Sequence, residues 1–365
     1  MPFSDFHGNT ETLDRLREML GRKRLPQAVI LAGASGSGKY TLALMLARAM
    51  NCHNPPPGDL PDFCGHCSNC ARIAQAEDFE ALFREAVEAR ENLREVDRKE
   101  TRILIQTHPD LLVIPPDPPQ MMIKVDQVRH VIGSIYLRPS EAKERVYLFT
   151  DSVFVKEAAN SLLKVLEEPP EFATIFLLSE NPGQLLPTIR SRSMTFTLSR
   201  LAPKKIEQYL AKQRTDWNAQ QRSLVAQLSE GAVGRALTFD LEAYVAARQQ
   251  ALIILKTAMR GTDHSELFKI TDSFRAGAEG REKFDQLLRT IYSLLEDLMF
   301  LKSGIPELMR NTDIADELRK ISDTADFDWI SAAANKLAEV ERGIRRNLLR
   351  SLSLDAFTTA LEART

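Results

Sequence analysis

The chain has 365 residues, a formal net charge of −2, 44% hydrophobic residues and 27% charged residues. This length allows two or three domains, and the composition is ordinary for a globular protein and argues against disorder. The small net charge excludes a whole-molecule electrostatic grip on nucleic acid, but not a local basic patch. No apolar run approaches the roughly 20 residues of a membrane span, and residues 1–10 lack the features of a secretory signal, so we expect a cytoplasmic protein.

The first half of the chain alternates short apolar runs with amphipathic stretches. This pattern is typical of a three-layer α/β domain with a mostly parallel sheet, which we assign to residues 1–202. The predicted strands are Ala28–Ala32, Leu111–Ile114, Val146–Thr150, Thr174–Leu178 and Met194–Leu198. The predicted helices are Thr10–Gly21, Tyr40–Ala49, Lys124–Leu137 and Lys156–Leu166.

The strand signal stops after Ala202, and the rest of the chain has helical patterns. Residues 203–240 predict a small helical unit and residues 241–365 a helical bundle. Further helices are predicted at Trp329–Gly343 and Arg346–Leu361. One helical stripe with i, i+3, i+4, i+7 spacing contains Phe284, Leu287, Leu288, Ile291, Leu294, Leu295 and Leu298.

Residues 71–107 form a charged segment, rich in Glu and Arg, inside the first domain. Its apolar residues recur at helical spacing and are Phe79, Leu82, Phe83, Ala86, Leu93 and Val96. The segment is predicted to be a helical excursion from the sheet. A solvated helical hairpin and a partner-binding arm are the two interpretations.

A phosphate-binding loop follows the first predicted strand. Gly33, Gly36, Gly38 and Lys39 fit the pattern GxxxxGK between a strand and a helix, a context that makes the motif specific. Backbone N–H groups of such a loop surround phosphate oxygens, the helix N-terminus adds partial positive charge, and the lysine reaches the outer phosphates. The alternative is a tight turn without a ligand.

Two parts of the usual hydrolytic machinery are altered. Tyr40 stands where a small Ser or Thr hydroxyl normally binds Mg²⁺, and Thr41 lies about 100° further around the helix. Asp151 ends an apolar strand and could hold Mg²⁺ through water, but Ser152 follows where an active enzyme needs a Glu as general base. The sequence therefore predicts bound ATP, ADP or phosphate without meaningful hydrolysis.

The four cysteines of the chain all lie within one short segment. Cys52, Cys64, Cys67 and Cys70 have the spacing C-x11-C-x2-C-x2-C. This clustering predicts a closed tetrahedral Zn²⁺ site with a structural role in a reducing compartment. His53 and His66 are possible alternative ligands, and free or redox-active thiols are the other interpretation.

The stretch from Glu157 to Pro170 (EAANSLLKVLEEPP) closely resembles the box after the Walker B strand in bacterial DNA polymerase III clamp-loader subunits, which are AAA+ proteins. Further boxes appear in the same order as in that family. They are Phe6–Asn9, Arg24–Ala28, His108–Asp110, Val125–Arg129 and Leu186–Arg192. The resemblance covers residues 3–237, and it implies an AAA+ domain, a small helical lid at 203–240 and a helical collar at 241–365 that oligomerises.

The resemblance also implies roles for three arginines. Arg192, in a Ser-Arg-Ser version of the family's Ser-Arg-Cys box, would be an arginine finger that acts on the ATP of a neighbouring subunit, with Arg190 as the rival. Arg235 matches the family's sensor-2 position. The charged segment at 71–107 departs from the family pattern.

Within the family, Tyr40 and Ser152 favour the delta-prime type, a stator without hydrolysis, over the gamma/tau type. The implied partners are gamma/tau and delta subunits, the sliding clamp and primer-template DNA. Two alternatives stay open. One is an active gamma/tau-type ATPase, and the other is a zinc-containing AAA+ interaction protein outside replication.

Overall fold

The computed structural model describes residues 2–260, 264–274, 277–344 and 348–362. The chain divides into two compact units. The first contains Met1–Ala202 and Gly231–Arg235, and the second contains Pro203–Glu230 and Ala236–Thr365. The short segment Gly231–Arg235 thus belongs to the first unit although residues on both sides of it belong to the second.

The first unit is built on a six-stranded sheet with the order β2-β3-β4-β5-β1-β6. All neighbouring strands are parallel except β2 and β3, which are antiparallel. The strands are β1 Ala28–Ala32, β2 Ile105–His108, β3 Leu111–Ile114, β4 Arg145–Phe149, β5 Ala173–Ser179 and β6 Met194–Thr197. The predicted α/β class with a mostly parallel sheet is confirmed.

Apolar side chains cover both faces of this sheet, because successive residues of a strand point to opposite sides. In β1, Val29 and Leu31 belong to the core that the helices Thr10–Gly21 and Lys39–Asn51 complete, whereas Ala28 and Ile30 belong to the core under the helices Val125–Ile135 and Lys156–Glu167. The helices of this unit are α1 Thr10–Gly21, α2 Lys39–Asn51, α3 Ser68–Ala74, α4 Phe79–Glu91, α5 Glu95–Glu100, α6 Val125–Ile135, α7 Lys156–Glu167 and α8 Pro187–Arg190.

The five predicted strands and four predicted helices are all present, with ends that differ by three residues or fewer. The edge strand β2 was not predicted. Three of its four residues, Gln106, Thr107 and His108, are polar, and only its ends are buried, so it carries a weak apolar signal.

The second unit is helical in the part of it that the structure describes. Its helices are α9 Pro203–Gln213, α10 Ala219–Leu228, α12 Leu241–Arg260, α13 Ser265–Asp272, α14 Gly277–Lys302, α15 Ala315–Thr324, α16 Phe327–Ile344 and α17 Arg350–Glu362. A short helix, α11 Val233–Leu237, runs from the Gly231–Arg235 segment into this unit. The predicted helix at Arg346–Leu361 begins partly outside the described residues.

The stripe on α14 forms the centre of the helical core, and all seven of its predicted members are buried. A buried polar cluster lies beside it. The fully buried Asp297 accepts hydrogen bonds from the backbone N–H groups of Arg310 and Asn311 at 2.8 and 2.9 Å. Arg248 forms two hydrogen bonds with the Asp313 carboxylate, at 2.7 and 2.6 Å.

Among the described helices, none is long and apolar enough to cross a membrane.

Candidate functional site

The phosphate loop lies between β1 and the first turn of α2. Gly36 and Gly38 have φ values of +73° and +90°, in the left-handed region that side chains with a Cβ rarely adopt. A Cβ on Gly38 would also lie 3.0 Å from the ring of Phe6. The glycine pattern of the sequence is therefore required by the backbone of this loop.

Lys39 is folded onto the loop itself. Its Nζ donates hydrogen bonds to the carbonyl oxygens of Gly33 and Ala34, at 2.7 and 2.8 Å. Burial lowers the pKa of Lys39, while the negative charges of Glu180 and Asp151 act to raise it. A phosphate oxygen would offer this ammonium group a charged acceptor in place of two neutral carbonyls, which is the stronger kind of hydrogen bond.

Tyr40 points away from the loop into the segment after α3. Its hydroxyl donates a hydrogen bond to the carbonyl of Ala76 at 2.6 Å, and its ring packs on Phe79 with the ring centroids 5.2 Å apart. Burial raises the pKa of the phenol, so it remains a neutral donor. This side chain holds the segment 75–79 and does not act as a short hydroxyl at a metal position. Thr41, the next residue of α2, is half-buried.

Asp151 and Ser152 follow β4, as the sequence predicts. Oδ1 of Asp151 accepts hydrogen bonds from the N–H groups of Ser152 and Val153, at 2.5 and 3.2 Å. Ser152 is buried, and its Oγ donates a hydrogen bond to Oγ of Ser179, the last residue of β5, at 2.8 Å. A buried hydroxyl therefore occupies the position after Asp151 where the sequence argument requires a general base for hydrolysis.

The Gly231–Arg235 segment lies against the phosphate loop. The N–H of Gly234 donates a hydrogen bond to the carbonyl of Gly36 at 2.8 Å. The backbone nitrogen of Arg235 would lie 2.7 Å from a Cβ on Gly36. The predicted sensor residue Arg235 is thus next to the loop in the structure, through its backbone and the base of its side chain.

Arg192 lies in the turn between α8 and β6. Its Nη1 donates to the carbonyl of Thr188 at 3.2 Å, and its Nη2 donates to Oε1 of Glu167, the last residue of α7, at 2.9 Å. The Arg192 side chain is 35% exposed and that of Glu167 is 53% exposed. Arg190, the rival finger, ends α8 and is exposed.

The four cysteines come together as the spacing predicts. Their Sγ atoms all lie within 4.8 Å of one another, close to the separation of about 3.8 Å for four thiolates around Zn²⁺ with Zn–S bonds of about 2.3 Å. Backbone N–H groups of Cys64 and Cys67 donate to the sulfurs of Cys52 and Cys64, both at 3.3 Å.

The four thiols differ in acidity, since burial raises the pKa of Cys52 and Cys70 whereas the pKa of Cys67 is lowered. Burial acts to raise its pKa, but hydrogen bonds from the backbone N–H groups of His53 and Cys70, together with the neighbouring thiols, lower it to about 6. The His66 ring instead contacts the carbonyl of Cys64, at 2.9 Å. The cysteines fit a structural zinc ion, and they are the residues that would hold it.

A polar network that the sequence did not predict joins the cysteine segment to the sheet. Asp110 N donates to Nδ1 of His108, and the other ring nitrogen, Nε2, contacts Oδ1 of Asn69 at 3.0 Å. Asn69 in turn donates to the carbonyl of Asn51, the last residue of α2. Burial, followed by the charge of Arg72, lowers the pKa of His108, so the ring is neutral at neutral pH.

Asp110 holds the loop before β4. Its carboxylate accepts hydrogen bonds from the backbone N–H groups of Ser140, Glu141 and Ala142, between 2.8 and 3.1 Å. Burial acts to raise the pKa of Asp110, but these N–H groups and Arg145 outweigh it, so the pKa is lowered. The His-Pro-Asp box was found from resemblance alone, and the structure gives it a role in fixing this loop.

Much of the charged segment at 71–107 is helical, in α3, α4 and α5, and its last residues belong to β2; the segment is anchored at several points. Phe79, Leu82 and Phe83 pack against the core of the first unit. Arg90 pairs with the buried Asp117 at 2.9 Å, and both side chains are at least 90% shielded. One face of α4 therefore packs on the first unit, while no residue of this helix is fully buried and Val96 on α5 is exposed.

These features define a class of protein. The first unit has a mostly parallel sheet, with a phosphate loop after β1 and a carboxylate after β4, and the second unit is helical in its described part. This combination is that of a P-loop α/β protein. Residues 8–202 match the family model described as "DNA polymerase III, delta subunit". The chain belongs to this family, and the resemblance to AAA+ clamp-loader subunits is confirmed.

Curated relatives of two types match the chain. It is 26% identical to DNA polymerase III subunit tau of Escherichia coli, over 87% of this chain and 46% of the relative. It is 31% identical to subunit delta' of Pseudomonas aeruginosa, over 47% and 43%, and 24% identical to subunit delta' of Bacillus subtilis, over 84% and 81%. The chain spans less than half the length of the tau and tau/gamma relatives that it matches.

One solved structure that aligns with most of the chain is that of the DNA polymerase III gamma subunit-related protein of Thermotoga maritima. It is 17% identical, covers 97% of this chain and 99% of its own, and has a TM-score of 0.45.

Proposed function

We propose that this chain is a clamp-loader subunit of DNA polymerase III of the delta-prime type. In this role it assembles with gamma/tau and delta subunits, in the cytoplasm, and helps to load the sliding clamp onto primer-template DNA. The family match supports the clamp-loader assignment. The relatives include delta', gamma and tau subunits, so the choice between the types depends on the site.

The observation that carries this choice is the surroundings of the phosphate loop. The Tyr40 hydroxyl is bonded to Ala76, and the buried Ser152 hydroxyl is bonded to Ser179. A hydroxyl of ordinary acidity cannot deprotonate an attacking water as a carboxylate does. The loop, with Lys39 and Arg235 beside it, is therefore proposed to bind ATP, ADP or phosphate without turnover.

Arg192 is proposed to be the arginine finger for a neighbouring subunit. It lies on a short turn, a guanidinium is permanently charged, and part of its side chain is exposed. In this assignment residues 203–240 are the lid, residues 241–365 are the oligomerising collar, and the four cysteines hold a structural zinc ion.

The test uses a loader reconstituted from this chain, its gamma/tau and delta subunits, the clamp and primer-template DNA. Arg192→Ala is expected to leave assembly intact and to lower hydrolysis at the adjacent site by about 10³-fold or more, the usual contribution of an arginine finger. Arg190→Ala is the comparison variant, because it removes the same charge two residues away and tests the rival finger; a loss of hydrolysis in Arg190→Ala alone would assign the role to Arg190. Unchanged hydrolysis with Arg192→Ala would refute the finger assignment.

The tau and gamma relatives favour a second candidate, an active gamma/tau-type ATPase. Steady-state hydrolysis by the isolated chain separates the two, since the delta-prime type predicts no turnover, and a rate near 1 s⁻¹ or above is ordinary for an enzyme. Failure to copurify with gamma/tau or delta subunits would instead favour an AAA+ interaction protein outside replication.

A further inference from the structure

The guanidinium of Arg192 is held within its own chain by two contacts. Nη1 donates to the backbone carbonyl of Thr188, and Nη2 donates to the carboxylate of Glu167. A guanidinium carries five N–H donors, so three remain available beyond these two bonds. The group is therefore oriented on the surface of the subunit before any neighbour is present.

The two contacts differ in what they do to an approaching phosphate. The Thr188 carbonyl is neutral, so it orients the Arg192 guanidinium without repelling a phosphate. The Glu167 carboxylate is negative, lies 2.9 Å from Nη2, and occupies a donor that a phosphate oxygen would otherwise take. Its charge also repels a second anion at the same guanidinium.

We propose that Glu167 is a positioning residue that holds Arg192 in a resting place and competes for it with the phosphate of the neighbouring subunit. This inference rests on the proposed function of Arg192 as a finger in trans. When ATP binds to the neighbouring subunit, Nη2 of Arg192 exchanges its hydrogen bond to the Glu167 carboxylate for one to a phosphate oxygen. Nη1 keeps its hydrogen bond to the Thr188 carbonyl. The free energy needed to break the Arg192–Glu167 ion pair is thus subtracted from the favourable interaction between Arg192 and the phosphate.

The size of the effect follows from exposure. Both partners are partly exposed, and exposed ion pairs contribute at most about 1 kcal/mol. At 1.36 kcal/mol per tenfold, this corresponds to about fivefold in an equilibrium constant. Removal of the Glu167 charge is therefore expected to change ATP use at the neighbouring site by up to about fivefold.

The chain provides a matched control in the next residue. Glu168 is also exposed and carries the same charge, but Arg192 bonds to Glu167 and Thr188. A general effect of surface charge would appear equally in Glu167→Gln and Glu168→Gln. An effect transmitted through the guanidinium would appear only in the first.

The experiment measures kcat and KM for ATP in the reconstituted loader with Glu167→Gln, Glu168→Gln, Arg192→Ala and the double variant Glu167→Gln/Arg192→Ala. We expect Glu167→Gln to lower KM and to raise kcat/KM by about two- to fivefold. Glu168→Gln should behave as wild type. In the Arg192→Ala background, Glu167→Gln should have no effect.

A Glu167→Gln loader with the KM of wild type, or with a higher KM, would overturn the inference while Arg192→Ala still lowers hydrolysis. The same gain in Glu168→Gln, or in the double variant, would also overturn it, since the effect would then bypass the guanidinium. If Arg192→Ala itself changes nothing, the proposed finger fails and this inference fails with it.

Discussion

Replacement of Tyr40 by threonine restores the GK[ST] pattern of the phosphate loop, yet we expect it to weaken the fold without producing an ATPase. The phenol donates to Ala76 and packs on Phe79, so the substitution removes a hydrogen bond and an aromatic contact together. Threonine is too short to reach either partner. Ser152 still lacks the basicity to activate water.

The cost can be estimated in two parts. An unsatisfied carbonyl at Ala76 costs about 1–3 kcal/mol if it stays away from water. Loss of a fully buried aromatic ring costs about 3–5 kcal/mol, and Tyr40 is only half-buried. Taking about half of the ring term, we expect Tyr40→Thr to lower the free energy of unfolding of the first unit by about 3–5 kcal/mol in total.

Urea unfolding of the purified protein, followed with a spectroscopic probe in the first unit, measures this change. Tyr40→Phe is the control, because it keeps the ring and removes only the hydroxyl, and it should cost about 1–2 kcal/mol. A Tyr40→Thr protein as stable as wild type would refute the structural role. Hydrolysis by that variant near 1 s⁻¹ would refute the argument that Ser152 disables the site.

Two further predictions concern the same unit. Purified protein should contain one zinc ion per chain by elemental analysis. Removal of the zinc ion with a strong chelator should increase hydrogen exchange in α3 and lower the free energy of unfolding. Absence of zinc from the purified protein would contradict the proposed site. Asp110→Asn should cost about 2–4 kcal/mol at pH 7. Because the folded pKa of Asp110 is lowered, its contribution is present above its ordinary value and is lost as pH falls through the folded value. The stability difference between variant and wild type should therefore shrink below about pH 4, and a constant difference would contradict this.

Local patterns predicted much of this molecule. The phosphate loop combines a strand, fixed glycine positions and a helix, and each of these reads directly from neighbouring residues. The cysteine cluster is equally local, because its four ligands lie in a short stretch. The α14 stripe follows from helical periodicity alone.

The parts that were missed depend on contacts between distant segments. The Arg192–Glu167 pair and the Asn51–Asn69–His108 network join residues that no periodicity relates. The same is true of the ion pair between Arg90 and Asp117, which anchors α4 to the first unit. The charged sequence of α4 does not indicate this contact. Polar residues of this kind are ordinary on a surface, and only tertiary structure identifies their partners.

The Gly231–Arg235 segment has a practical consequence for genetics and for fragment design. A protein cut after Ala202 would retain every strand of the sheet, but it would lose the N–H that Gly234 gives to Gly36. A side chain at Gly234 would collide with the Gly36 carbonyl, with a Cβ 2.8 Å from that oxygen. Mutations in Gly231–Arg235 would thus disturb the phosphate loop, although these residues lie in the helical half of the sequence. A genetic screen that divides the chain at Ala202 would assign such variants to the wrong unit.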